Sequence, residues 1–204
     1  MADKSASPHR RTNDPEGLRL RLVDAAYAAF TASGYHSTAL HDLRRETGVT
    51  GGALSHHFPS KKALGLAVIQ DRVADAVEET WIGPVERAPS TAEGIRAVFA
   101  SIVSELERNG AVSGCPLNNL ALELSRQDED FQAAIDAIFQ RWRSAIAAKL
   151  RADLQTGTVR DLDPEAVATL VVATYSGAMA MSKACQCVDP LKICAEQLIS
   201  IIRK

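Results

Sequence analysis

The chain has 204 residues, 46% of them hydrophobic, which supports a packed core and excludes global disorder. No run of about 18 apolar residues is present to span a bilayer, the polar start MADKSASPHRRTNDPEG lacks the apolar stretch of a secretory signal, and four cysteines do not make a disulfide scaffold, so a reducing cytoplasm is expected. The net charge of −2 argues against a protein that coats nucleic acid with its whole surface, yet the charge is uneven: residues 1–75 hold 10 Lys/Arg against 8 Asp/Glu, and residues 76–204 hold 13 against 17.

Residues 1–15 have no periodicity and predict a disordered arm. From Glu16, the residues Leu18, Leu22, Val23, Ala26, Ala29 and Phe30 recur at three- and four-residue spacing, one apolar face of a helix that Gly34 ends. A short helix follows, with Thr38 as its expected N-cap and Leu40, Leu43 and Thr47 facing inward, until Gly48. Thr50 opens another short helix running to about His57. Pro59 breaks the chain, and Ser60 caps a longer helix from Lys61 to about Trp81, with Leu66, Ile69, Val73 and Val77 as its buried stripe. Gly83-Pro84 and Ala88-Pro89 bracket an expected connector.

Beyond it, Ile95, Val98, Phe99, Ile102 and Leu106 mark an amphipathic helix, and NGAVSGCP reads as a turn. Pro116 suits a first helical position, followed by Leu117, Leu120, Ala121 and Leu124. Phe131, Ile135, Ile138, Trp142 and Ile146 define a long helix to about Leu154. Asp163-Pro164 opens the next, to about Lys183, and Asp189-Pro190 opens the last, with Leu191, Cys194, Leu198, Ile201 and Ile202 on one side. β-branched residues never alternate over a useful length, so the expected fold is all-α, of about nine helices.

The stretch TGVTGGALSHHFPSKKAL has the physics of a helix-turn-helix. Gly48 supplies a left-handed turn, Val49 fills the angle between the helices, Leu43 and Leu54 hold them together, and the helix after Thr50 projects its first residues toward a major groove. Gly51 and Gly52 let the backbone approach phosphates at a helix N-terminus. Adjacent helical residues point about 100° apart, so His56 and His57 are expected to divide their roles, one facing DNA and one packing, rather than to chelate one metal. Lys61 is expected to pair with a phosphate.

With the preceding RLVDAAYAAFTASGY, the run GYHSTALHDLRRETGVTGGALSHHFPSKKALGLAVI resembles the N-terminal domain of the TetR family of transcriptional regulators. GCPLNNLALELSRQDEDFQAAIDAIFQRW is similar to a C-terminal domain that recurs in that family. The resemblance implies a DNA-binding domain over 16–75 and an effector-binding and dimerisation domain over 76–204. By it, Thr38, Thr50, Gly51, Gly52, Ser55, His56, His57 and Lys61 match positions that touch DNA. Ser55 stands where an aromatic is usual, and Arg44 where Ala is usual, so that Arg44 is free to reach the DNA backbone.

The resemblance further implies a repressor that releases a palindromic double-stranded operator when a small-molecule effector binds. Its effector pocket would draw on Phe99, Phe131, Phe139, Trp142, Tyr175 and Met179, with Asn118 and Asn119 as polar specifiers. A homodimer would form through the last two helices, where Ala166, Leu170, Ala173, Gly177 and Ala180 make a stripe of mostly small residues and Val167, Val171, Thr174, Ala178 and Met181 face the core. Cys115, the expected N-cap before Pro116, is either a small residue filling that cap or an electrophile- or redox-sensing thiol whose pKa the helix N-terminus lowers. Cys185, Cys187 and Cys194 lack a nearby histidine to complete a metal site, and no cofactor motif is present. An enzyme using Cys115 as nucleophile is disfavoured because all five histidines lie within the first 57 residues. An architectural DNA-binding protein would carry more positive charge.

Overall fold

The computed structural model describes residues 14–203; the expected arm lies outside them except for Asp14 and Pro15, which open the first helix. Among the described residues nine helical rods follow one another. In α1 (Pro15–Ser33) the Asp14 carboxylate caps the Gly17 N–H at 2.9 Å, and Gly34 closes the far end. Next come α2 (Leu40–Thr47) and α3 (Gly51–His57). The fourth rod, α4, begins with Lys61–Ala67 behind a Ser60 cap. It continues through two widened π turns, Val68–Val73 and Glu78–Ile82, and ends with Gly83–Arg87.

Gly83-Pro84 is therefore part of α4 rather than a connector. A proline inside a helix lacks an N–H and its ring crowds the carbonyl four residues back. The π turn immediately before it widens the helix there and removes that conflict. The buried stripe of α4 is also displaced: Leu64, Ile69, Val73 and Val77 are buried, and Leu66 is only half-buried.

The body consists of α5 (Thr91–Asn109), α6 (Pro116–Leu124), α7 (Glu129–Gln155), α8 (Pro164–Cys185) and α9 (Asp189–Ile202). α7 packs on α8, α5 on α9, and α8 on α9. Among the described residues there is no strand. The start of α5 and the end of α7 are joined by a buried carboxylate: Asp153 accepts from the Thr91 N–H at 2.5 Å and the Thr91 hydroxyl at 2.7 Å, and pairs with Lys149. A buried charge with these partners is compensated.

The face of α8 carrying Ala166, Leu170, Ala173, Gly177 and Ala180 is exposed along its length, while Val167, Val171 and Ala178 are buried. Two residues depart from the expected inward stripes. Met181 and Ile201 are 60% and 46% exposed, and Ile193 of α9 joins them at 60%. The 3.6-residue period carries each of them round to the outer side. No helix among the described residues is long and apolar enough to cross a membrane.

Candidate DNA-binding head and effector cavity

α1, α2 and α3 form the head. Gly48, at φ +67, makes the left-handed turn between α2 and α3; Val49, Leu43, Leu54 and Phe58 are buried around it. The Thr50 hydroxyl caps the Ala53 N–H at 3.3 Å. At Gly52 an added Cβ would meet nothing within 4 Å, so this surface is open to an approaching backbone. The Arg44 guanidinium reaches over from α2 to lie beside Gly51, where a Cβ would stand 3.1 Å from its Nη1. Ser55 and His56 are exposed, and His57 is half-buried with its ring next to Phe58.

One head residue sits differently from expectation. Thr38 is not the N-cap of α2. Ala39 is, without a side-chain bond, and Thr38 is buried with its hydroxyl donating to the Gly34 carbonyl at 2.8 Å. That local bond closes the α1–α2 turn and leaves Thr38 little surface to offer DNA. Lys61 is half-buried: its ammonium lies 4.5 Å from the Tyr35 ring centroid and 3.3 Å from the His36 carbonyl. Burial lowers its pKa, partly opposed by Glu123.

Behind the head lies a cavity of about 500 Å³. Its walls come from α1 (Tyr27, Thr31), α4 (Val73, Val77, Trp81), α5 (Ile102, Glu105), the turn from Ala111 to Cys115, and α7 and α8 (Trp142, Tyr175, Met179). Trp81, Trp142 and Tyr175 pack edge to face or tilted, with ring centroids 4.8 to 5.6 Å apart. Among the described residues the indole N–H of Trp142 is buried without a partner, and the indole N–H of Trp81 is buried beside the Tyr175 hydroxyl. Burial raises the pKa of Tyr27 and lifts that of Tyr175 well above the ordinary phenol range, so both are neutral donors at physiological pH. Among the lining residues Glu105 is the one formal charge.

Of the expected pocket residues, Cys115, Trp142, Tyr175 and Met179 line this cavity, and Phe99, Asn118, Phe131 and Phe139 do not. Phe99 is core behind Trp81 and Tyr175. Phe131 packs under the head against Tyr35 at 5.3 Å, and Phe139 stacks on the far side of Trp142. Asn118 is half-buried on α6, away from the cavity; its neighbour Asn119 donates to the Ser113 carbonyl. Cys115 is the N-cap of α6 but not an activated thiol: burial raises its pKa and outweighs the lowering by the Leu117 and Asn118 N–H groups. Tyr27, Trp81 and Glu105 were absent from the sequence expectation. Trp81 had a usable signal, since it continues the Val73, Val77 stripe of α4 by one more turn.

Comparison with known proteins covers both parts of the chain. Residues 22–68 match the model for bacterial regulatory proteins of the tetR family, and residues 91–197 match the C-terminal domain of LmrA/YxaF-like transcriptional regulators. The chain belongs to the TetR family. It is therefore a DNA-binding transcriptional regulator of a non-enzymatic family. The chain is 26% identical over 193 residues to the HTH-type transcriptional repressor DhaR of Mycobacterium sp. (strain GP1), covering 91% of this chain and 90% of that one. It is 28% identical over 174 residues to the HTH-type transcriptional regulator LmrA of Bacillus subtilis (strain 168), covering 85% and 90%. A TetR transcriptional regulator from Chloroflexus aurantiacus J-10-FL superimposes with a TM-score of 0.82 at 28% identity, over 93% of this chain and 98% of that one.

In this TetR-family chain, the head is tied to the body at two places. Glu123, on the last turn of α6, accepts the Tyr35 N–H at 2.9 Å and the His36 N–H at 2.6 Å. Lys62 pairs with Asp128 and Asp130 at 2.6 and 2.7 Å, at the start of α7. Between them, Gly65 lets α4 pass close to the rings: a Cβ there would stand 2.8 Å from Tyr35 and 3.0 Å from Phe131. The same helix α6 borders the cavity at its N-terminal end, through Pro116 and Leu117.

Proposed function

We propose that the protein is an effector-controlled repressor that binds a palindromic operator as a homodimer and releases it when a small molecule fills the cavity. One observation carries this reading: the cavity is walled by the head's own helix, through Tyr27 and Thr31, as well as by the body helices. A ligand seated there touches both parts and favours whichever head orientation accommodates it. Because the one charged group on the wall among the described residues is a carboxylate and the floor is aromatic, the effector is a largely apolar molecule, neutral or cationic, with an acceptor for the free Trp142 indole N–H.

In this reading Thr50, Gly51, Gly52, Ser55, His56, Arg44 and Lys61 form the DNA face, and His57 braces the recognition helix. Two heads are needed to read a site of useful length. The exposed apolar face of α8 and α9, with Leu170, Met181, Ile193 and Ile201 around the small residues, supplies the pairing surface. The name of DhaR, a repressor, supports the direction of control.

The test is to select bound fragments from random DNA with the purified protein and then measure affinity for the winner against scrambled DNA at fixed salt. A palindromic winner, bound far more tightly and released by apolar ligands that quench the cavity tryptophans, is expected. Enrichment of a single, non-palindromic half-site, or ligands that quench without releasing DNA, would overturn the dimeric or the effector-controlled part respectively.

A further inference from the structure

We propose that Cys185 and Cys187 are a dithiol modification site for low-molecular-weight disulfides, and that its oxidation frees the loop closing one end of the cavity. The modification stands on its own geometry, and only its bearing on effector control rests on the preceding reading.

α8 ends at Cys185, and Gln186 turns the chain with φ 51 and ψ 39. It is the one non-glycine residue with positive φ among the described residues. This left-handed residue folds the chain back on itself, so that Cys187 returns beside Cys185 with the two sulfurs 2.8 Å apart, closer than ordinary sulfur contact. Cys185 is exposed and Cys187 half-exposed, so a small reagent has access.

The residue between the two thiols has a second task. The Gln186 side chain accepts from the Val112 N–H at 3.1 Å and donates to the Val112 carbonyl at 3.2 Å and the Lys183 carbonyl at 2.6 Å. Val112 is buried in the turn whose neighbours Ala111, Ser113, Gly114 and Cys115 line the cavity. A glycine would suit the left-handed position better; the amide pairing with Val112 is what a glutamine adds there.

The chemistry is thiol–disulfide exchange. One cysteine thiolate attacks a sulfur of RSSR, forming a mixed disulfide and expelling RS⁻, which takes up the proton. The neighbouring thiolate then attacks the cysteine sulfur of the mixed disulfide and expels a second RS⁻. Two cysteines lose two hydrogens, and RSSR becomes two RSH. The new bond closes a small ring that contains the Gln186 backbone, so the shift that brings the sulfurs from 2.8 Å into bonding distance bears on the turn that aims the amide at Val112.

Oxidised glutathione is the probe, applied to the full chain, with trapping of remaining thiols by alkylation. Trypsin cleavage at Lys183 and Lys192 places both cysteines on the peptide 184–192 and Cys194 on the next. That peptide is expected two hydrogens lighter and free of glutathione, with Cys115 and Cys194 alkylated. Cys185→Ser is expected to stop at the mixed disulfide on Cys187. In hydrogen exchange, residues 111–115 of the oxidised protein should exchange about tenfold faster, and Gln186→Ala should do the same without oxidant. Glutathione retained on both cysteines, or a disulfide linking two chains, would overturn the site. An oxidised peptide with unchanged exchange at 111–115 would overturn the coupling. Neither readout needs operator or effector, so failure here is distinct from failure of the proposed function.

Discussion

Glu123→Ala removes the one carboxylate that fastens the head's α1–α2 turn to α6. Two backbone N–H groups, of Tyr35 and His36, lose a charged acceptor at 2.9 and 2.6 Å. A hydrogen bond to a charged group nets about 1.5–3 kcal/mol when sheltered. The His36 end is open to water, and screening reduces each bond to about 1 kcal/mol. The total is about 2 kcal/mol, which in a chain of this length lowers Tm by about 4–8 °C. α6 touches the cavity at one end and holds the head at the other, so the substitution should also shrink the effector's influence on operator affinity while leaving the effector's own cavity in place. Scanning calorimetry reads the first effect, and operator titration with and without ligand reads the second. Glu123→Gln, which keeps one acceptor oxygen but turns an NH₂ toward the other N–H, should fall between. An alanine variant that melts within about 1 °C of the parent and still releases DNA fully would refute the seam as a coupling element.

Lys61→Ala should weaken DNA binding similarly across sequences and reduce the salt slope by about one; loss confined to one operator variant, seen by titration at several salt concentrations, would contradict a phosphate contact. Gly48→Ala meets no atoms within 4 Å, so its cost is the left-handed backbone alone, about 1 kcal/mol by urea denaturation. The hydrogen bond from Lys62 holds the Asp128 carboxyl below the ordinary carboxylate range, so this pairing stabilises above that range and is lost as pH falls through the depressed value. Lys62 is pushed up to about 12, chiefly by Asp128 and then Asp130, so its part is complete below the ordinary lysine pKa and lost as pH rises through about 12. Urea midpoints of the parent and of Lys62→Met should therefore differ at neutral pH and converge in acid. Leu170→Glu places a charge in the middle of the exposed α8 face and should convert the expected dimer to monomer by analytical ultracentrifugation, with parent-like helicity.

The elements that could be read from sequence are those whose causes are local. Thr50 and Ser60 cap the helices they precede, Asp163 and Pro164 start α8, and Pro116 starts α6, because caps need only a side chain and the next three residues. The long α4 was cut short because proline is ordinarily a stop; a π turn that accommodates Pro84 leaves no local signature. Cys115 shows two causes in competition. Its place before Pro116 was legible and lowers a thiol's pKa, but its burial was not legible and wins.

The cavity is harder still, because a helical period tells which face turns inward and not whether another surface meets it there. Phe131 and Trp142 lie on the same stripe of α7, eleven residues and about three turns apart. Phe131 meets Tyr35 over the notch that Gly65 leaves in α4, so its position is filled, and it serves the seam. Trp142 faces the region between α1, α4 and α5, where no side chain among the described residues reaches its indole N–H. The difference between a ring packed against a neighbour and a ring facing a cavity is thus set by the partner helices, and one stripe on α7 serves both the joint that carries the head and the cavity proposed to control it.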